Sequence, residues 1–348
     1  MRIFIMTLML LALACSKKET SEPEQAGATE APSSTGDSPQ TDEPAVAEAL
    51  AEPPPLPPAL LQAATPPLDA PPVIAILDQG AEPRQALRWQ LKSGFEQKAQ
   101  IKVGFTVKAV VMTLAVGDPD YVVTFDLTQR VQKVDPDGTL RVSVSVDDAT
   151  MHPAVLKGDR RAEQFKEALS AVKGSTGSYT MHPRGHVQDA RIDMAAKKAS
   201  RRAHDMLDNL RWALVQGTPT FPEEPIGPGA KWTVNRSALL SGMLVNQLTT
   251  LELVKRAGPQ LVLKIGARQT AEKQPFTSPG TLEEMKLLTL NGVGAGTATW
   301  ELTQLTPRSA DIEANVLKGV QQEVGRKGEK KRVQTAIGTT RTLLIEAD

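Results

Sequence analysis

The sequence predicts an α+β domain that is mostly antiparallel β: a curved sheet built from two similar strand blocks, about 84–192 and 229–346, with two central helices packed on it. Three observations carry that expectation. Apolar and polar residues alternate over long stretches, as in Ile101, Val103, Phe105, Val107 and Ala109 against Lys102, Gly104, Thr106 and Lys108, the pattern of half-buried antiparallel strands. Two apolar stripes spaced by three and four fall between the blocks and mark helices. Pro, Gly and Asp clusters separate the alternating stretches at hairpin distances.

The chain begins with a different kind of segment. Met1-Arg2 is followed by Ile3 to Ala14, in which Thr7 is the one polar residue. As a helix this run would extend about 18 Å, too short for a ~30 Å hydrocarbon core. It fits the apolar region of a signal peptide, residues 1–14. It ends Leu11-Ala12-Leu13-Ala14-Cys15 and passes at once to Ser16-Lys17-Lys18. These residues resemble the lipobox of bacterial lipoproteins, with Ala12 where that motif prefers Leu. The resemblance implies cleavage before Cys15, acylation of its thiol and new amino group, and anchoring in a membrane. Two or three acyl chains anchor stably where one is marginal. Ser16 after the cysteine implies the outer membrane, facing the periplasm, in a Gram-negative host. Cys15 is the chain's only cysteine, so no internal disulfide or cysteine metal cluster is expected.

Residues 15–72 read as a disordered tether. Thirteen of the 26 prolines lie between positions 23 and 72, and no aromatic residue occurs from 16 to 72. Such a composition cannot bury enough apolar surface to offset the entropy of ordering, and Pro53 to Pro58 favours stiff polyproline II. As a coil the segment would reach about 40 Å. Its charge is acidic: residues 15–78 hold 2 basic and 11 acidic side chains, or −9, against 37 and 29, or +8, for residues 79–348. That mild basic excess is not gathered into an aromatic-flanked patch, so nucleic acid is not an expected partner.

Residues 73–348 are then a single β-rich domain. Leu87, Trp89 and Leu91 alternate with Arg88, Gln90 and Lys92, which predicts an entry strand. Tyr121 to Val134 and Leu140 to Val146 form a hairpin across the turn Asp135-Pro136-Asp137-Gly138. The first helix is capped by Asp159, carries Ala162, Phe165, Leu169 and Val172 on one face, and stops at Gly174. Gly177 to Asp193 is a hairpin around His182-Pro183-Arg184-Gly185. The second helix runs from a cap at Asp193 to about Val215, with Met194, Ala203, Met206, Leu210, Ala213 and Leu214 apolar and Lys197, Lys198, Arg201 and Arg202 on a solvated face. The Pro-rich connector 219–229 excludes helix and central strand. Lys231 to Val234 opens the second block, Leu261, Leu263, Ile265 and Ala267 alternate again, and Val333 to Ile345 is the last strand.

Two short motifs resemble known families. Gly80-Ala81-Glu82-Pro83-Arg84 with Leu87-Arg88-Trp89 is similar to the entry segment of lipoproteins from delta-type, myxobacterial-like bacteria. Phe221-Pro222-Glu223-Glu224-Pro225-Ile226-Gly227-Pro228-Gly229-Ala230-Lys231-Trp232 is similar to a signature in a broader bacterial envelope family of unknown function. The resemblance implies an α+β envelope domain and supplies no catalytic residues. The residues themselves suggest structural work: Gly and Pro setting turns, Trp89 and Trp232 filling the core.

No constellation demands a reaction, so no catalytic residue, metal site or cofactor is expected. His152 and His182 each sit in Thr-Met-His-Pro. His182 and His186 are four apart, but Pro183 and Gly185 forbid the helix that would align them, so they are read as flanking a turn rather than binding zinc with Asp189. Gly292-Val293-Gly294-Ala295-Gly296 lacks the Lys of a phosphate loop and precedes strand, not helix, which favours close backbone packing. Lys327, Lys330, Lys331 and Arg332 bracket Gly328-Glu329 and would form a basic hairpin tip, a plain solvated surface or a contact for anionic lipid or polysaccharide. The expected function is a non-enzymatic, membrane-tethered envelope protein binding an apolar ligand or an envelope partner. An assembly protein of the envelope and a hydrolase with a composite site are the alternatives. Convergence of His152, His182 and carboxylates would favour the hydrolase.

Overall fold

The structure, a computed structural model, describes residues 70–111, 114–152, 160–277, 284–324 and 331–346. Cys15, nearly all of the tether, Asp159, Lys327 and Lys330 lie outside the described residues. The chain folds as β1 (Val73–Asp78), β2 (Glu96–Val111), β3 (Leu114–Val134), β4 (Leu140–His152), α1 (Arg160–Val172), β5 (Thr176–Met181), β6 (Val187–Asp193), α2 (Arg201–Gly217), β7 (Lys231–Leu240), β8 (Met243–Ala257), β9 (Gln260–Ala271), β10 (Gln274–Thr277), β11 (Glu284–Glu301), β12 (Ser309–Val324) and β13 (Lys331–Glu346). Strand accounts for 62 % of the described residues and helix for 11 %. The domain is therefore mostly antiparallel β, with a smaller helical share than an α+β class suggests.

All the strands belong to one sheet in the order β1-β7-β8-β9-β11-β12-β13-β2-β3-β4-β5-β6, with β10 added to β11 beyond the end of β9. The order is nearly that of the chain. β2 to β6 meander outward, α2 and the connector carry the chain to the far edge, and β7 to β13 meander back until β13 pairs β2. Every ladder is antiparallel, as short connections require. Twelve strands side by side at ~4.8 Å would span roughly 50 Å if flat. One apolar cluster nevertheless holds Trp232 of β7, Trp300 of β11, Ile345 of β13, Phe125 of β3, Met181 of β5, Phe165 of α1 and Leu210 of α2. The sheet wraps around that cluster and both helices contribute to it. The two blocks are five and seven strands joined edge to edge at β13 and β2.

Local chemistry explains the turns. Gly138 at φ 84° closes the β3–β4 hairpin by donating to the Asp135 carbonyl (2.8 Å). Gly185 at φ 97° closes the β5–β6 hairpin on the His182 carbonyl (2.7 Å), and a Cβ there would collide with the Pro219 carbonyl and the Trp89 indole. Two expectations are corrected. Leu87, Trp89 and Leu91 are buried with the expected alternation, but they are in no strand. The Trp89 and Gln90 amides donate to the Pro183 and Leu302 carbonyls (2.9 and 2.7 Å) instead of to a ladder. α2 begins at Arg201 rather than after Asp193, because Asp193 ends β6 and Ser200 provides the cap, its side chain accepting from the Ala203 amide. Lys197 and Lys198 consequently precede the helix.

The two motifs singled out near residues 80 and 227 dock on each other. Ala81 and Gln85 donate to the Pro228 and Ile226 carbonyls (2.8 and 3.0 Å), and Gly227 donates to Gln79 (2.9 Å). A Cβ on either Gly80 or Gly227 would strike the facing backbone. Trp89, Phe221, Trp232 and Trp300 pack behind them with ring centroids 5.2–6.3 Å apart. Both motifs are thus structural, as their composition suggests.

Candidate functional site

The interior is not filled evenly. Besides the main cluster there is a second, built from residues such as Leu240, Met243, Phe276, Leu287, Leu290 and Val320, and Trp212 of α2 packs against both. Between them lies a cleft under α2. Its cavity volume is about 80 Å³, and the empty space reaches about 820 Å³ when open solvent is included.

Strand register explains the cleft. Side chains alternate across a sheet, so residues in register on neighbouring strands form rows on one face. One inward row is Ile265, Gly296, Ile312 and Leu343 on β9, β11, β12 and β13. The next is Thr249, Ala267, Gly294, Ala314 and Arg341, running from β8 to β13. The third is Gln247, Gln269, Gly292, Val316 and Thr339. β11 therefore presents three glycines in succession to the interior, flanked by alanines, and the sheet is thin there. A Cβ on Gly296 would collide with the Asp311 carbonyl, so this glycine serves close backbone packing, while one on Gly292 would meet the Gln269 and Val316 side chains at 3.1 Å and one on Gly294 the Glu313 carbonyl at 3.1 Å and the Ala314 side chain at 3.2 Å. α2 covers the hollow with Asn209, Trp212 and Ala213.

The cleft has two polar borders. On β8 and β9 the buried Gln269 amide donates to Gln247 (2.8 Å), and Gln247 donates to the Thr249 hydroxyl (3.2 Å). Mutual bonding offsets part of the cost of burying two amides. At the other border, the Arg341 guanidinium lies 5.6 Å from the centre of the Trp212 ring. Lys318 follows Val316 on the same face of β12, in register with Leu290 and Ile337. Burial, then Arg341 and Arg201, push the Lys318 ammonium down to about 8, with Asp205 opposing. Burial raises the Asp205 carboxyl, against the pull of Arg201 at 3.7 Å. The cleft is thus an apolar trough with a neutral polar wall at one border and Arg341 beside Trp212 at the other.

Other candidates fall away from this place. His182 and His186 flank the β5–β6 turn with rings stacked at 4.6 Å and 18°, and Asp189 turns toward Thr180 instead (3.5 Å). Among the described residues no group of three or more His, Cys, Asp or Glu is arranged to hold a metal ion. His152 ends β4 whereas His182 lies beside its start, across the Leu140–Met181 pair, roughly 40 Å away at strand rise. The convergence that a composite hydrolytic site needs is absent for this pair. His204 bonds within its helix, to the Ser200 carbonyl (3.0 Å). Lys331 and Arg332 open β13 opposite Val324 and Glu323. Sequence reasoning passed over Lys318, Arg341 and the Gln pair. The legible signal was glycine at every second position of a strand, which leaves one face bare.

No protein-family model matches the chain, and no curated protein matches it significantly. No helix among the described residues is long and apolar enough to cross a membrane.

Proposed function

We propose that this chain is a lipid-anchored protein of the bacterial envelope, tethered through Cys15 to the periplasmic face of the outer membrane, whose β domain binds an apolar or amphipathic ligand without catalysing a reaction. The signal segment and the Ala14-Cys15 junction support the anchor, and the Pro-rich stretch gives the domain reach from the surface. The observation that carries the ligand reading is the hollow under α2, where β11 offers Gly294 between Ala267 and Ala314. Ligand sites are concave, mostly apolar, and carry a few fixed polar groups; the Gln247–Gln269 pair and Arg341 are such groups here. Half-open sheets with covering helices also serve lipid carriers, an analogy of fold alone.

Solvent extraction of the purified, lipid-processed protein followed by mass spectrometry tests this. A long-chain lipid is expected at near-stoichiometric yield, and Ala267→Phe, which fills the trough, should lose it while unfolding at the same or a higher temperature. Equal lipid yield from both proteins, or none from the wild type, would defeat the reading.

A further inference from the structure

The two ends of the sheet differ in kind. An edge strand leaves a row of backbone N–H and C=O groups unpaired, a template for another strand unless the edge is blunted. β6 ends the sheet on one side and is blunted. It carries Asp189, Arg191 and Asp193, Asp189 takes φ 53°, and its register to β5 shifts between Ser178 and Thr180. β1 ends the sheet on the other side and reads Val-Ile-Ala-Ile-Leu-Asp, with no Lys or Pro. Among the described residues it pairs with β7 alone, regularly from Val73 to Ile76, and its irregularity comes at the far end, between Ile76 and Asp78. Ile74 and Ile76 pack against the core, whereas Val73 and Leu77 stand 54 and 45 % exposed.

Two observations bear on what covers this edge. The chain directly before it is unsuited: nine of the 20 residues from 53 to 72 are proline, with Pro71-Pro72 adjoining Val73, and proline lacks the N–H that a returning strand must donate. The edge is, however, complementary to itself. Laid antiparallel against a second β1 with Ala75 opposite Ala75, it sets Val73 opposite Leu77 and Ile74 opposite Ile76 on both sides of a two-fold axis. Each face then meets its own kind, and both exposed side chains gain an apolar neighbour. Moving the axis by one residue would set Pro72 opposite Ile76 or Asp78 opposite Ile74.

We infer that β1 is a self-pairing edge: two copies of this chain join β1 to β1, antiparallel, with Ala75 on the two-fold axis, and their sheets become continuous. Because β6 is blunted, the contact closes as a dimer instead of propagating. An edge about 20 Å long by itself buries less than the ~1,200 Å² typical of stable complexes. The dimer therefore forms at high local concentration, which the proposed anchor would supply by holding both chains on one surface.

Full-length protein carrying Cys15→Ser has no cysteine left, so one introduced cysteine reports its own contact under mild oxidation at submillimolar concentration. Directly opposed residues of an antiparallel pair have Cα atoms ~4.5–5.5 Å apart, within disulfide range. Ala75→Cys should crosslink to itself about tenfold faster than Val73→Cys or Leu77→Cys alone, whose copies fall roughly 13 Å apart along the strand. Val73→Cys and Leu77→Cys in one chain should restore the crosslink. Val73→Lys, at an exposed position, should keep the fold and sediment as a monomer where the Cys15→Ser parent sediments as a dimer. Crosslinking of Ala75→Cys no faster than that of Arg191→Cys on β6, or a parent that stays monomeric throughout, overturns the pairing. Fastest self-crosslinking at Val73 or Leu77 overturns its antiparallel register.

Discussion

His182 and His186 show how single residues tune this domain without acting in its proposed site. Burial is the largest influence on each, and the neighbouring Arg184 adds to it; His186 is held down at about 4, and His182 is also lowered. A histidine whose folded pKa lies below its unfolded value of about 6.5 binds fewer protons in the native state between those two values. Its contribution is therefore complete above pH 6.5 and is lost as pH falls toward 4. Partial exposure of His186 screens this effect, so the loss is smaller than the shift alone would give. Only the upper part of this window, above about pH 5, lies clear of ordinary exposed carboxylates, so the comparison is made between variant and wild type at the same pH. Thermal unfolding at pH 7 and pH 4.5 should show a smaller acid-induced drop for His186→Phe than for wild type; equal drops would contradict the assignment. The turn between these residues was legible in Pro183 and Gly185, whereas the ring stacking depended on both strands being in place.

Among the elements, α2 matters most because it roofs the cleft. Ser200 caps its start and Arg236 of β7, deeply buried and pushed down to about 10, donates to the Val215 carbonyl near its end (3.2 Å). Arg202 also stacks over Phe165, 3.8 Å from the ring centre, and ties α2 to α1. Loss of a serine cap costs about 1 kcal/mol. Ser200→Ala should lower urea-unfolding stability by about that amount, and Asp193→Ala, placed at the end of β6, should lower it less. The reverse order would reinstate the earlier helix start. The apolar stripe identified this helix correctly, but two polar residues capable of capping preceded it. Choosing between them required knowing that Asp193 pairs with Thr176 in the sheet. The opposite difficulty arose at Leu87, Trp89 and Leu91, where alternation reported burial accurately and said nothing about a ladder.

At the scale of the whole molecule, the proposal joins a lipid anchor, a long spacer and a β domain with a cleft. Its most direct test is the anchor. Cys15→Ser should abolish incorporation of labelled palmitate and move the protein from the detergent-rich to the aqueous phase of a detergent split, with the unfolding temperature of the domain unchanged. Partition of the wild-type protein into water with an unmodified thiol would remove the membrane from the account.

The sequence by itself determined the β-rich class, the alternating stretches within β2, β3, β4, β9 and β13, both helical stripes and the turn residues, because alternation, helical spacing and φ constraints act within a few neighbours. It also marked residues 80–84 and 226–230 as structural, though not that they pack together. The cleft was decided by tertiary structure alone. Gly294, Ala267 and Ala314 are small residues on three separate strands, and they make a hollow only when antiparallel register aligns them in one row beneath one helix. Lys318, Arg341 and Asp205 likewise sit far apart along the chain and become one electrostatic group only after the sheet closes over α2. Register between distant strands is set by the summed packing of many side chains, which no local pattern contains.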